Sequence, residues 1–138
     1  MLNYSYIEYY FKEYYSSMEN FSQTTTYPII VGGIIKQIRE TKGFNQREMA
    51  EKMDLSQASW SKIESGKTPI SITQLWQASQ ILGENTSQIL SYVDEAIKNI
   101  GAQGIKVDTS SKTNKESSLA ILGGAALTLF IIAALRKK

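Results

Sequence analysis

The chain has 138 residues and a formal net charge of +2, with no cysteine and no histidine. That length leaves room for one small domain plus appendages. The missing residues exclude disulfides, thiolate nucleophiles and cysteine metal sites, and remove the commonest metal ligand and general base. No carboxylate pair falls in a pocket-like pattern either, so the chain reads as a non-enzyme without a cofactor or metal.

The charge is uneven. Residues 1–27 carry a balance of −2, residues 28–100 a balance of zero from eight basic and eight acidic side chains, and residues 101–138 a balance of +4. The middle of the chain is not broadly basic. Any affinity for nucleic acid must then come from charges placed on one face.

Residues 1–27 hold seven of the eight tyrosines. Tyr4, Ile7, Phe11, Tyr14 and Met18 fall at spacings of three and four, which predicts a helical extension with one apolar side. Such a helix packs on the domain or on a second copy, or lies at a membrane interface, where tyrosine is at home. With no basic start and no unbroken apolar core, it does not resemble a signal peptide. Residues 22–28, polar and β-branched up to Pro28, read as a linker.

Residues 28–100 carry five helical patterns. The first runs from Ile29 or Ile30 to Lys42, with Val31, Ile34, Ile35 and Ile38 inward and Gly43 as a left-handed stop. Gly32 and Gly33 weaken it by about 1 kcal/mol each relative to alanine. The second opens on Asn45 as N-cap with Glu48 three residues on, a capping box, and carries Met49, Ala50 and Met53 as its stripe. Asp54 breaks the pattern and Leu55 turns inward. Ser56 caps the third, whose inner side is Trp60 and Ile63, and Gly66 and Pro69 end it. The fourth begins after Ser71, with Ile72, Leu75, Trp76, Ser79 and Leu82 expected inward and Gly83 as its stop. The fifth starts near Thr86, with Ile89, Leu90, Val93, Ala96, Ile97 and Ile100 on one side. Its stripe outlasts the domain, which suits a dimer contact as well as it suits the domain's own core.

Two short helices joined by a tight turn over Phe44 to Pro69 form a helix-turn-helix. From about Ile30 to Leu90 the chain resembles the Cro/C1-type, Xre-like helix-turn-helix family of repressors. The resemblance rests on Arg39, Gln46, Ala50, Ser56, Ile63, Glu64 and Gly66 at their offsets. It implies an all-α, five-helix repressor-like domain that binds double-stranded DNA as a homodimer. It further implies that Gln57, Ala58 and Lys62 read bases, that Gln46, Ser56, Ser59 and Lys67 meet the DNA backbone, and that Arg39 and Glu64 form an architectural ion pair. The chemistry suits those roles. A glutamine can pair with adenine N6 and N7, a lysine can donate to guanine O6 or N7, and an alanine can meet a thymine methyl. Two positions depart from the pattern. Asp54 stands at a turn position that is commonly glycine. Trp60 replaces a smaller aliphatic residue, so its ring is expected to displace something or to lie partly exposed toward the DNA side.

Residues 101–118 read as a flexible linker, spanning about 20–25 Å as a coil. Residues 119–135 are uncharged, with Thr128 the only hydroxyl. As a helix they cover about 25 Å, close to the roughly 30 Å core of a bilayer, and predict a single transmembrane helix followed by the basic tail 136–138. Ala120, Gly124 and Thr128 repeat every four residues, a spacing that lets two such helices approach. Flanking charge gives a tie, with Lys106, Lys112 and Lys115 before the run and Arg136, Lys137 and Lys138 after it. A DNA-binding domain and the missing signal peptide place the N-terminal part in the cytoplasm. The combined expectation is a transcriptional regulator tethered to the cell membrane by one span, binding specific DNA sequences as a repressor does. Two rivals stand beside it: a membrane-anchored interaction module without DNA binding, and a soluble regulator whose tail is a buried oligomer helix.

Overall fold

The structure is a computed structural model, which describes residues 8–9, 24–109, 132, 135 and 136. Its elements in chain order are β1 (Thr24–Thr26), α1 (Tyr27–Thr41), α2 (Gln46–Lys52), α3 (Gln57–Glu64), α4 (Ile72–Leu82), α5 (Thr86–Ala102) and β2 (Lys106–Asp108). Most of the tyrosine-rich extension, all of the expected span at 119–135 but residues 132 and 135, and Lys137 and Lys138 of the basic tail lie outside the described residues. Among the described residues no helix is long and apolar enough to cross a membrane. Leu135, at the end of the apolar run, packs against the domain core.

Local chemistry sets the helix ends. Asn45 Oδ1 accepts from the Glu48 N–H at 2.8 Å while Glu48 Oε2 accepts from the Asn45 N–H at 2.8 Å, a reciprocal box that opens α2. Ser56 Oγ accepts from the Ser59 N–H at the start of α3. Ser71 and Gln74 form a second box at α4. Gly83 closes α4 in the left-handed conformation. Between α2 and α3 the backbone turns through Asp54 at φ 54°, which among the described residues is the single non-glycine there with positive φ. Aspartate tolerates that conformation better than most side chains.

Helix α1 is the spine. Its buried Ile30, Val31, Ile34, Ile35 and Ile38 form a 3.6-period stripe that meets both α3 and α5. Two glycines set how closely it lies to α3. A Cβ on Gly32 would collide with the carbonyl oxygens of Ile63 and Glu64, 2.6 Å from the latter. A Cβ on Gly66, at φ 72°, would lie 2.5 Å from Ile29 Cα. Gly32 is therefore more than a weak helix former: it is the point where one backbone touches another.

Several expectations need correction. Within the expected linker at 22–28, residues 24–28 hold a strand and the start of α1, where Pro28 suits a position with no intrahelical N–H to give. The expected linker at 101–118 opens with the last turn of α5, buried Ile105 and β2. The two strands pair in parallel, Thr24 with Lys106, Thr25 with Val107 and Thr26 with Asp108. Three residues are too few to show an alternating pattern, and the partners lie some 80 positions apart, so nothing local announces them. Ile72 and Trp76, expected inward, are 86% and 57% exposed. The buried stripe of α4 is Leu75, Ala78, Ser79 and Leu82. Trp76 is one position past Leu75, turned about 100° away from it. Leu90 also faces outward, while Tyr92, absent from the expected stripe, is buried. Trp60 is fully buried, where partial exposure toward DNA was one of the two expected outcomes.

Candidate nucleic-acid interface

The tight turn at Asp54 presents the N-terminal half of α3 to solvent. Gln57, Ala58, Ser59 and Lys62 are all exposed, whereas Trp60, Ile63 and Glu64 on the same helix are buried. The helix thus has one side for the core and one free. Gln57 and Ala58 lie in its first turn and Lys62 four residues beyond Ala58, a single patch at helical spacing. Ser56 Oγ donates to Ser59 Oγ at 2.8 Å, so the two hydroxyls form a short polar ridge beside Gln57. Lys67 is exposed just past Gly66, where the chain leaves α3.

The inner end of α3 is held by charge. Arg39 Nε donates to Glu64 Oε1 at 2.5 Å and Arg39 Nη2 donates to Oε2 at 3.1 Å, a fork on a carboxylate whose side chain is 2% exposed. Arg39 Nη1 donates to the Phe44 carbonyl at 2.7 Å, tying the α1–α2 loop into the same knot. Two donors absent from the sequence reading join it. Trp60 Nε1 donates to Glu64 Oε1 at 2.7 Å, and Gln46 Nε2 donates to Oε2 at 2.9 Å. Gln46 is half-buried and so partly engaged by the protein itself. The Trp60 contact had a signal: a buried indole N–H needs a partner, and Glu64 lies one helical turn on.

The remaining ionic contacts are peripheral. Arg47 and Glu51 pair across one turn of α2 in solvent, and Lys42 meets Glu84 at 3.3 Å. The first pair is exposed on both sides and contributes little, while in the second the Glu84 side chain is half-buried. Lys52 lies over the Phe44 ring, 5.5 Å from its centroid. Among the described residues no group of His, Cys, Asp or Glu could hold a metal ion. The arrangement therefore offers hydrogen bonds and two exposed lysines, Lys62 and Lys67, to a partner.

Residues 35–89 match the helix-turn-helix family model (HTH_3), a range that contains α2, α3 and α4 whole, with the second half of α1 and the first turn of α5. The match covers less than half of the chain, and over that range the chain is similar to helix-turn-helix proteins. A crystal structure of the clp gene regulator ClgR from Corynebacterium glutamicum is similar at 25% identity, covering 56% of this chain and 82% of that one, with a TM-score of 0.54. A second crystal structure of ClgR, also 25% identical, covers 55% of this chain and 91% of that one with a TM-score of 0.46. No curated protein matches the chain.

Proposed function

We propose that this chain is a transcriptional regulator that binds specific DNA sequences through α3, with Gln57, Ala58 and Lys62 against base edges and Gln46, Ser56, Ser59 and Lys67 toward the phosphates. The family match and the likeness to a gene regulator support DNA binding. The observation that carries the reading is the division of α3 itself. Its Gln57–Lys62 side is free, and its far end is anchored by a buried ion pair that keeps the helix from rolling. A rigid helix with hydrogen-bonding side chains at one-turn spacing is what direct readout in the major groove requires. Two copies acting on a two-fold site complete the proposal.

The test is a gel shift with the full chain at fixed salt against duplexes selected from a random-sequence pool. Gln57→Ala and Lys62→Ala should each lose about 1–3 kcal/mol of discrimination at one base position. Lys67→Ala should weaken all duplexes alike and reduce the salt slope by about one. Failure to enrich any sequence would end the reading.

The tether is a separate part of the proposal. The uncharged run at 119–135 supports a single membrane span, with the helix-turn-helix domain on the cytoplasmic side. A spanning tail requires Leu135 to leave its contact with the core. Membrane fractionation with a carbonate wash decides it: a chain recovered in the supernatant has no span. A second reading, a module that binds protein through the same fold, is favoured by the exposed Ile72 and Trp76 on α4. It gains ground if no duplex is enriched while Trp76→Ala abolishes capture of a membrane partner.

A further inference from the structure

An ionised carboxylate has about four acceptor positions. On Glu64 four donors fill them: Arg39 Nε and Trp60 Nε1 on Oε1, Arg39 Nη2 and Gln46 Nε2 on Oε2. Arg39 alone would make a fork, but a fork can swing with its carboxylate, since the last torsion of a glutamate is broad. Trp60 removes that freedom. Its ring is fully buried and fixed by packing, so its N–H is a donor that cannot follow a moving oxygen. With the Oε1 edge held there, Oε2 is left facing Gln46.

The consequence falls on the Gln46 amide. Turning it over would set its oxygen against the carboxylate, two acceptors face to face. The amide nitrogen is therefore kept toward Glu64 by one hydrogen, and its second hydrogen has a set direction. We propose that Trp60 is a positioning residue for the DNA backbone contact: through Glu64 it orients the Gln46 amide so that the remaining N–H meets a phosphate. Trp60, being buried, touches no DNA itself. The inference rests on the DNA-binding reading above and deepens it by naming what aims one contact.

The experiment uses the full chain with Trp60→Phe, Gln46→Ala and the double variant, on a duplex that the unmodified chain selects from a random pool. Each single change should weaken binding by about tenfold, and the double variant by no more than either alone. Effects that multiply to about a hundredfold would overturn the proposal, because Trp60 would then act by another route. A second readout needs no DNA. In 15N–1H spectra one Gln46 side-chain proton should exchange slowly with solvent in the unmodified chain and lose that protection in Trp60→Phe. An amide unchanged by the substitution sinks the linkage even if DNA is bound. A chain that binds no duplex removes the DNA reading, while the spectra still decide whether Trp60 orients Gln46. If phenylalanine prevents folding, 3-benzothienylalanine at position 60 keeps the ring size, replaces N–H by sulfur and serves the same comparison.

Discussion

Trp60 and Trp76 sit inside neighbouring helices of one small domain, and their fates are opposite. Trp60 in α3 is fully buried, and Trp76 in α4 is 57% exposed. The difference lies in what each ring can reach. The indole N–H of Trp60 finds the Glu64 carboxylate one turn along its own helix, at 2.7 Å. A Trp with its polar tip satisfied can be enclosed completely, and burying so large a ring is worth several kcal/mol. Trp76 stands one position past the buried stripe of α4 and has Ile72, itself 86% exposed, a turn before it. Burial of an aromatic side chain here follows the partner of its polar end as much as its hydrophobicity.

The sharpest way to break this comparison is to remove each ring in turn. Trp60→Ala should cost about 3–5 kcal/mol, the usual figure for emptying an aromatic site in a core. Trp76→Ala should change stability by no more than about 0.5 kcal/mol, as exposed sites do. Urea midpoints of the two variants measure both. Near-equal losses would mean that Trp76 is enclosed in solution by something beyond the described residues. Glu64→Ala belongs with the first: it strands Arg39 in the interior, and a buried pair broken from one side loses about 3–5 kcal/mol.

A smaller effect comes from the glycine that brings α1 onto α3. In an isolated helix Gly32→Ala would gain about 1 kcal/mol. Here the added methyl meets the carbonyl oxygens of Ile63 and Glu64, which are backbone and cannot swing aside. Overpacking of this kind costs about 1–3 kcal/mol, so the net sign should reverse. Because the clash falls at the end of α3 that carries Glu64, Trp60 fluorescence should shift along with the urea midpoint. A stabilised variant would show that α1 and α3 can separate freely.

The caps and turns were legible in the sequence because their chemistry is local. Asn45 with Glu48, Ser56, Ser71, and the helix stops at Gly43 and Gly83 each follow from residues within one turn, whereas the turn at Asp54 came from the family resemblance. The five-helix order followed from apolar periodicity. What periodicity could not resolve was which of two adjacent apolar residues faces in, hence Trp76 beside Leu75 and Leu90 beside Ile89. Nor could it supply contacts between distant segments: β1 with β2, Gly32 against Ile63, or Gln46 on Glu64. The pair of Arg39 and Glu64 came from family resemblance and not from spacing. The exposed positions Gln57, Ala58 and Lys62 were legible as an outward side, but their partner is a matter for the binding experiments above.

The mildest prediction concerns a third aromatic with a polar end, Tyr27 at the start of α1. Its ring packs against the core, and its phenol pKa is raised above the ordinary 10.0, first by burial and then by the nearby Asp94 carboxylate. Here the polar tip has a negative neighbour that opposes ionisation, where Trp60 has one that accepts its hydrogen. The sign follows from proton binding. Below pH 10 the folded and unfolded chains both keep the proton, and stability is complete. As pH rises through the raised folded-state value, the unfolded chain gives up its proton first and gains by doing so, and stability falls. Tyr27→Phe should remove that part of the decline. Urea midpoints taken from about pH 8 to about pH 11 should diverge between the two chains only above about pH 10, with the phenylalanine variant losing less. Parallel curves would mean that Tyr27 ionises as readily in the folded protein as in the unfolded chain. Asp94→Asn should then narrow the gap without closing it, because burial is the larger of the two causes.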